Sequence, residues 1–201
     1  MTQHIVRTGR REERSARIRA DLLAAAERLL AEKGVERTTI TDITSEAGVG
    51  FGTFYNYFSS KGEVYQELVR NGLDLLANRI DDRCGRTSDH RERLRIAAEE
   101  VADFAVQRSD LFLLLFTTNS DVHSAVKTGV EGLTRCLEGC LRDGFDKGAY
   151  QSVAPSLAVR AMIGIFAFVL RPLASDKGNR EAVTASLIRL IQGAVIGAPN
   201  R

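Results

Sequence analysis

The chain has 201 residues, enough for one or two small domains with a real core, and its 44% hydrophobic and 27% charged content is that of a soluble globular protein. The longest apolar run, Met162 to Leu170, falls far short of the roughly 20 residues a bilayer span needs, so no membrane partner is expected. Net charge is only +2 but unevenly placed: Arg7, Arg10, Arg11, Arg14, Arg17 and Arg19 against Glu12 and Glu13 make the first nineteen residues +4 and the remainder −2.

Nearly every segment has helical periodicity and none alternates as a strand, which predicts an all-α fold. Residues 1–13 read as a basic flexible arm, either phosphate-seeking or simply a solvated tail. A first helix is expected from about Ser15 to Lys33, with Ile18, Leu22, Ala25, Ala26, Leu29 and Leu30 as its apolar stripe and Gly34 as its end. Thr39 with Asp42 has the spacing of a capping box and opens a short helix, about Ile40 to Ala47. Gly48 breaks it, and a third helix is expected from about Phe51 to Tyr57. Ser60 with Glu63 opens a fourth, carrying Val64, Leu68, Leu73, Leu76 and Ile80. After a loop near Asp82 to His90, helices are expected at Glu92–Gln107, Asp110–Phe116, Asp121–Phe145, Pro155–Ala174 and Asn179–Ile196.

Three cysteines, Cys84, Cys136 and Cys140, form an odd set with no secretory leader ahead of them, which points to a reducing cytoplasm. Cys136 and Cys140 share a helix face, as two buried thiols or as a redox switch. His4, His90 and His123 are scattered, so no metal site is expected. No nucleophile lies beside a plausible base, and no glycine-rich phosphate loop precedes a helix. Asp81–Asp82 and Glu99–Glu100 read as solvated helix surface or helix ends. The chain is therefore not expected to be an enzyme or to carry a cofactor.

Residues 39–58, TITDITSEAGVGFGTFYNYF, combine a short helix, a glycine turn and a second short helix, the spacing of a helix-turn-helix. Ile43, Ala47, Val49 and Phe54 fall where the two helices must pack, and Phe58 shares a face with Phe54. Phe51, Thr53, Tyr55, Asn56 and Tyr57 are then turned outward. Such a surface can be packing or an interface, but it suits a major groove: hydroxyls bond phosphates or base edges and rings pack on sugars. Gly50 and Gly52 let the backbone approach the duplex, and Lys61, at a helix N-terminus, suits a phosphate.

The stretch RIRADLLAAAERLLAEKGVERT followed by TTITDITSEAGVGFGTFYNYFSSKGEVYQELV closely resembles the N-terminal domain of the tetracycline-repressor (TetR) family, over about residues 14–70. The resemblance implies a nine-helix homodimer: a helix-turn-helix domain at 14–62 and a ligand-binding and dimerisation domain at 63–201. It implies that Thr39 and Thr41 reach phosphates and that Phe51, Gly52, Thr53, Tyr55 and Tyr57 lie on the recognition helix, with Lys61 as the phosphate contact after it. Gly50 stands where a small hydroxyl or charged residue often opens that helix, and Phe51 where a polar residue often reads a base. Thr44 replaces the usual alanine, and Gly62 the usual acidic residue.

The Pro155–Ala174 helix is apolar nearly all round and the last helix has a wide stripe, so both must be buried, in a four-helix interface between two chains or in one chain's own core. Ile165, Val169, Leu187, Ile191 and Val195 are the expected interface residues. Phe104, Phe112, Leu115, Phe116, Leu133, Leu137, Met162 and Phe166 are expected to line a ligand pocket or to fill an ordinary core. The function expected is a DNA-binding transcriptional regulator of a palindromic double-stranded operator. It would be a repressor released by a small hydrophobic effector, or a regulator with no effector.

Overall fold

The computed structural model describes the backbone of residues 2–115, 120–148, 154–175 and 180–196, and the side chains within these outside 2–10, 120–125, 167, 170–175, 180, 183, 192 and 194–196. The described residues form nine α-helices and no strand: α1 (Thr2–Arg37), α2 (Ile40–Glu46), α3 (Phe51–Phe54), α4 (Lys61–Cys84), α5 (His90–Gln107), α6 (Ser109–Leu114), α7 (Ser120–Asp146), α8 (Pro155–Ser175) and α9 (Arg180–Ile196). Two units divide the chain: Met1–Leu68 with Ser120–Val122, and Val69–Asn119 with His123–Arg201. The contacts thus part inside α4, a few residues beyond the 62/63 boundary drawn from sequence.

α1 begins at Thr2, not near Ser15, so residues 2–13 of the expected arm continue the helix. Once the stripe of Leu22, Ala25, Ala26, Leu29 and Leu30 is buried, extending the helix backward through Arg, Glu and Gln is inexpensive, because propagation lacks the cost of nucleation. Gly34 breaks α1 at φ 77°, ψ 168°, a backbone region essentially reserved for glycine. Thr38, buried, donates its hydroxyl to the freed Gly34 carbonyl at 2.8 Å.

Leu22, Ala25, Ala26, Ile43, Phe54, Phe58, Val64 and Tyr65 make the core of the first unit. Arg19 on α1 pairs with both carboxylate oxygens of Glu67 on α4 and lies over the Phe58 ring, 5.1 Å from its centroid. Burial raises the Tyr65 phenol above its ordinary value.

In the second unit, Glu100 departs from the solvated surface expected of it. Its carboxylate is buried, accepts from Arg83 Nη1 at 2.6 Å, and pairs with Arg79 Nε at 2.8 Å. Two cations compensate a carboxylate that burial alone would penalise. Glu99 joins Arg83 to Arg95, and Arg95 returns to Glu92. The expectation of Cys136 and Cys140 as two reduced thiols is corrected: Cys140 on α7 is disulfide-bonded to Cys84 at the end of α4, with Cα atoms 6.1 Å apart, and Cys136 keeps a free thiol that donates to Ala77 O at 3.2 Å. Burial pushes the Cys136 thiol up to about 11.

The last two helices correct the expected interface. Leu187 and Ile191 are fully buried in the protomer's own core, because α9 lies against α5 as well as α8. Ile165 and Val169 are half-buried, and the Val195 side chain lies outside the described residues. Leu157, Phe168 and Leu190 are exposed instead, Phe168 at 86%. Among the described residues, no helix is long and apolar enough to cross a membrane.

Candidate functional site

Residues 39–58 build one local device. Thr39 caps α2: its hydroxyl accepts from Asp42 N–H at 3.1 Å, while Asp42 Oδ2 accepts from Thr39 N–H at 2.8 Å and from the Thr39 hydroxyl at 2.7 Å. Lys33 Nζ lies 2.8 Å from the same carboxylate. The Lys33 ammonium first, then the Thr39 hydroxyl and amide, hold the Asp42 carboxyl well below the usual carboxylate range.

Gly48 ends α2 at φ 68°, with Val49 N–H donating to Thr44 O at 2.9 Å and Gly48 N–H to Ser45 O at 3.2 Å. These two bonds are a Schellman motif, which satisfies the free carbonyls of the helix end and requires a left-handed residue where glycine stands. Thr44 is buried and donates its hydroxyl back to Ile40 O and Thr41 O, so it fits the helix crossing without stranding a polar atom.

Gly50 opens α3 without a side-chain cap. The helix is shorter than expected, a single turn at Phe51–Phe54, because i→i+3 bonds take over (Asn56 N–H to Thr53 O, 3.2 Å; Tyr57 N–H to Phe54 O, 2.9 Å). Phe54 and Phe58 are buried with ring centroids 5.8 Å apart, and they anchor the turn. Phe51 and Tyr55 are each 52% exposed, Gly50, Gly52 and Asn56 are exposed, and Thr53 and Tyr57 are half-buried. Thr39 and Thr41 are exposed at the head of α2. These residues lie on one contiguous segment.

Lys61 sits differently. Its ammonium donates to Val35 O at 2.7 Å and Thr38 O at 2.8 Å, the carbonyl end of α1. Of its three donors, two are thereby used within the protein. Ser60 caps α4 by accepting from Glu63 N–H at 3.2 Å, while the Glu63 carboxylate reaches Ser59 N–H at 2.6 Å.

The second unit holds an apolar cavity of about 140 Å³, lined by Leu73, Leu76, Val101, Phe104, Phe112, Leu115, Val130, Leu133, Ile163 and Phe166. Five of the expected residues are in that wall. Leu137 and Met162 are buried elsewhere in the core, and the Phe116 expectation lies outside the described residues. Leu73, Leu76, Val101, Val130 and Ile163 are the wall residues that this reading missed, the first two having been read from sequence only as part of α4's stripe. Among the described residues, no group of His, Cys, Asp or Glu side chains is placed to hold a metal ion.

The family profile described as "Bacterial regulatory proteins, tetR family" matches residues 22–68. The chain is 30% identical over 179 residues to the HTH-type transcriptional regulator TtgR of Pseudomonas putida, covering 80% of each. It is 33% identical over 132 residues to the HTH-type transcriptional activator FasR of Mycolicibacterium smegmatis, a match spanning 64% of this chain and 60% of FasR. In fold it is similar to the fatty acid degradation regulator FadR of Bacillus halodurans (TM-score 0.79, 22% identity, 92% of this chain and 97% of that one). It is also similar to FadR of Bacillus subtilis in complex with stearoyl-CoA (TM-score 0.77, 19% identity, 90% and 99%). With its capped helix, glycine turn and anchored second helix at the matched residues, the chain belongs to the TetR family of bacterial regulatory proteins.

Proposed function

We propose that the protein is a cytoplasmic, sequence-specific regulator that binds a palindromic double-stranded operator as a homodimer and is released from it by a small hydrophobic ligand. One observation carries the DNA reading: a single-turn helix anchored by Phe54 and Phe58 presents Phe51, Tyr55 and Asn56 to solvent. Half-exposed rings and hydroxyls so placed leave most of their polar groups and ring faces to solvent, and they fit base edges and backbone in a major groove. Thr39, Thr41, Gly50, Gly52, Thr53, Tyr57 and the third donor of Lys61 complete the surface. The exposed arginines of α1, Arg11, Arg14 and Arg17, add charge for phosphates.

Homodimer formation is supported by Leu157, Phe168 and Leu190, large apolar side chains left exposed on α8 and α9. Two such chains present two recognition segments, and half-sites about 34–36 Å apart then read one face of the duplex.

The effector reading rests on the cavity. A cavity of about 140 Å³ walled by Leu, Val, Ile and Phe suits an apolar guest. The stearoyl-CoA named with the similar Bacillus subtilis structure makes an acyl chain the first probe. One helix, α4, carries both Lys61 at its head and Leu73 and Leu76 in the cavity wall, so a guest that displaces it acts on the helix that holds the end of α1. Coupling of this kind typically amounts to about 1–3 kcal/mol.

Selection of bound sequences from a random duplex pool, followed by anisotropy titration with and without acyl-chain ligands, tests the reading. A palindrome bound tightly and released severalfold by ligand is expected. A ligand that raises Tm but leaves operator affinity unchanged overturns the switching mechanism, and failure to enrich any DNA overturns the regulator reading itself.

A further inference from the structure

Which base the exposed segment reads follows from what it lacks. Residues 50–57, GFGTFYNY, contain no arginine, lysine, glutamine, histidine or carboxylate. The bidentate contact of Arg or Lys to guanine, the commonest specific contact in the major groove, is therefore unavailable from this segment. Its first side chain is instead a hydrocarbon ring. Phe51 is 52% exposed, so about half of an apolar ring faces water.

That ring is held in place. Phe51 meets Tyr55 edge-on, with centroids 5.6 Å apart and planes at 70°. Tyr55 meets Phe54 edge-on at 5.5 Å and 80°, and Phe54 is fully buried. A chain of ring contacts thus runs from the core to the exposed tip, so little rotamer freedom remains to be lost on binding. Next to the ring, a Cβ built on Gly52 would meet no side chain within 4 Å beyond those of its chain neighbours, so no side chain from farther along the chain crowds this position.

Resting on the operator reading above, we propose that Phe51 is a specificity-determining residue that reads the C5-methyl group of a thymine in each half-site. Thymine alone among the four bases carries an apolar group on its major-groove edge, and a phenyl ring has no donor or acceptor with which to read any other feature. Burying one methyl against the ring corresponds to about a threefold to fivefold gain in affinity.

Methyl-scanning of the selected operator tests this with the full-length protein. Each thymine is replaced in turn by uracil, which removes the methyl and leaves every hydrogen-bonding group unchanged. Wild type should lose about threefold to fivefold at one symmetry-related thymine pair, and 5-methylcytosine at that pair should bind better than cytosine. Phe51→Ala should bind the thymine and uracil operators equally, and Phe51→Leu should keep part of the discrimination. Circular dichroism and Tm confirm that both variants are folded. A uracil scan that is flat in wild type, or a methyl effect that persists undiminished in Phe51→Ala, overturns the assignment while leaving operator binding intact. Absence of any selected DNA overturns the operator reading and this inference with it.

Discussion

Lys61 Nζ lies 2.7 Å from the carbonyl oxygen of Val35, so the first residue of α4 closes the end of α1. Helix-terminal carbonyls lack partners within their own helix, and a cation satisfies them well. Lys61→Ala is therefore expected to lower stability by about 1–2 kcal/mol as well as to weaken operator binding. If the third donor reaches a phosphate, the salt dependence of binding falls by about one unit. Lowered Tm with wild-type operator affinity and an unchanged salt slope removes Lys61 from the DNA contacts and leaves it as a clasp.

The Arg19–Glu67 pair is asymmetric, and so are its variants. The Glu67 side chain is 11% exposed and that of Arg19 44%. Arg19→Ala strands a nearly buried carboxylate and removes the cation over Phe58, an expected loss of about 2 kcal/mol. Glu67→Gln leaves an arginine that can turn to water, and should cost less. Chemical denaturation of both variants checks the order; equal losses mean the pair acts only through packing.

On α9, neighbouring leucines should give opposite results. Leu190→Glu, on the exposed side, should yield a folded monomer by sedimentation with little change in helical content. Leu187→Glu places a charge in the protomer core and should unfold it. A dimer persisting in both Leu190→Glu and Phe168→Glu would move the interface elsewhere.

The disulfide predicts a thiol count. Alkylation under denaturing, non-reducing conditions should modify Cys136 and spare Cys84 and Cys140. The bond spans 56 residues, for which the loop-entropy model gives about 4 kcal/mol. Reduction, or Cys84→Ser, should thus lower Tm by several degrees. Three alkylated thiols without reductant would show that the pair is not bonded in solution.

Asp42 fixes an acid limit. Its folded-state carboxyl is depressed below the ordinary value of 3.8, so its contribution is complete above that value and is lost as pH falls below it toward the folded-state value. Wild-type Tm should fall more steeply below about pH 4 than that of Asp42→Asn, which starts lower at neutral pH. Parallel curves would show that the Lys33 and Thr39 contacts are not made in solution.

The helix-turn-helix was legible because its determinants are local. Thr39 and Asp42 announce a cap three residues apart, Gly48 marks a left-handed turn, and Phe54 and Phe58 share a face by spacing alone. Long-range partners leave no such trace: nothing near Cys84 names Cys140, and nothing near Lys61 names Val35. The reading of α9 failed for a related reason. A helix with a wide apolar stripe does not show by periodicity which side meets its own core, and the leucines at 187 and 190 look alike until α5 is in place. Glu100 was misjudged because its compensating arginines, Arg79 and Arg83, lie on another helix.

The single turn of α3 has a consequence for how such a protein changes over time. Phe54 and Phe58 hold the turn from inside, whereas Phe51, Tyr55 and Asn56 are exposed, the two rings tied to the core through the edge of Tyr55 on Phe54. On the proposed operator reading, fold and recognition are encoded largely by separate letters of the same short word. Point changes in the outward letters can retune which sequence is bound while the scaffold stays intact, so a copied gene could diverge toward new targets without first losing its stability.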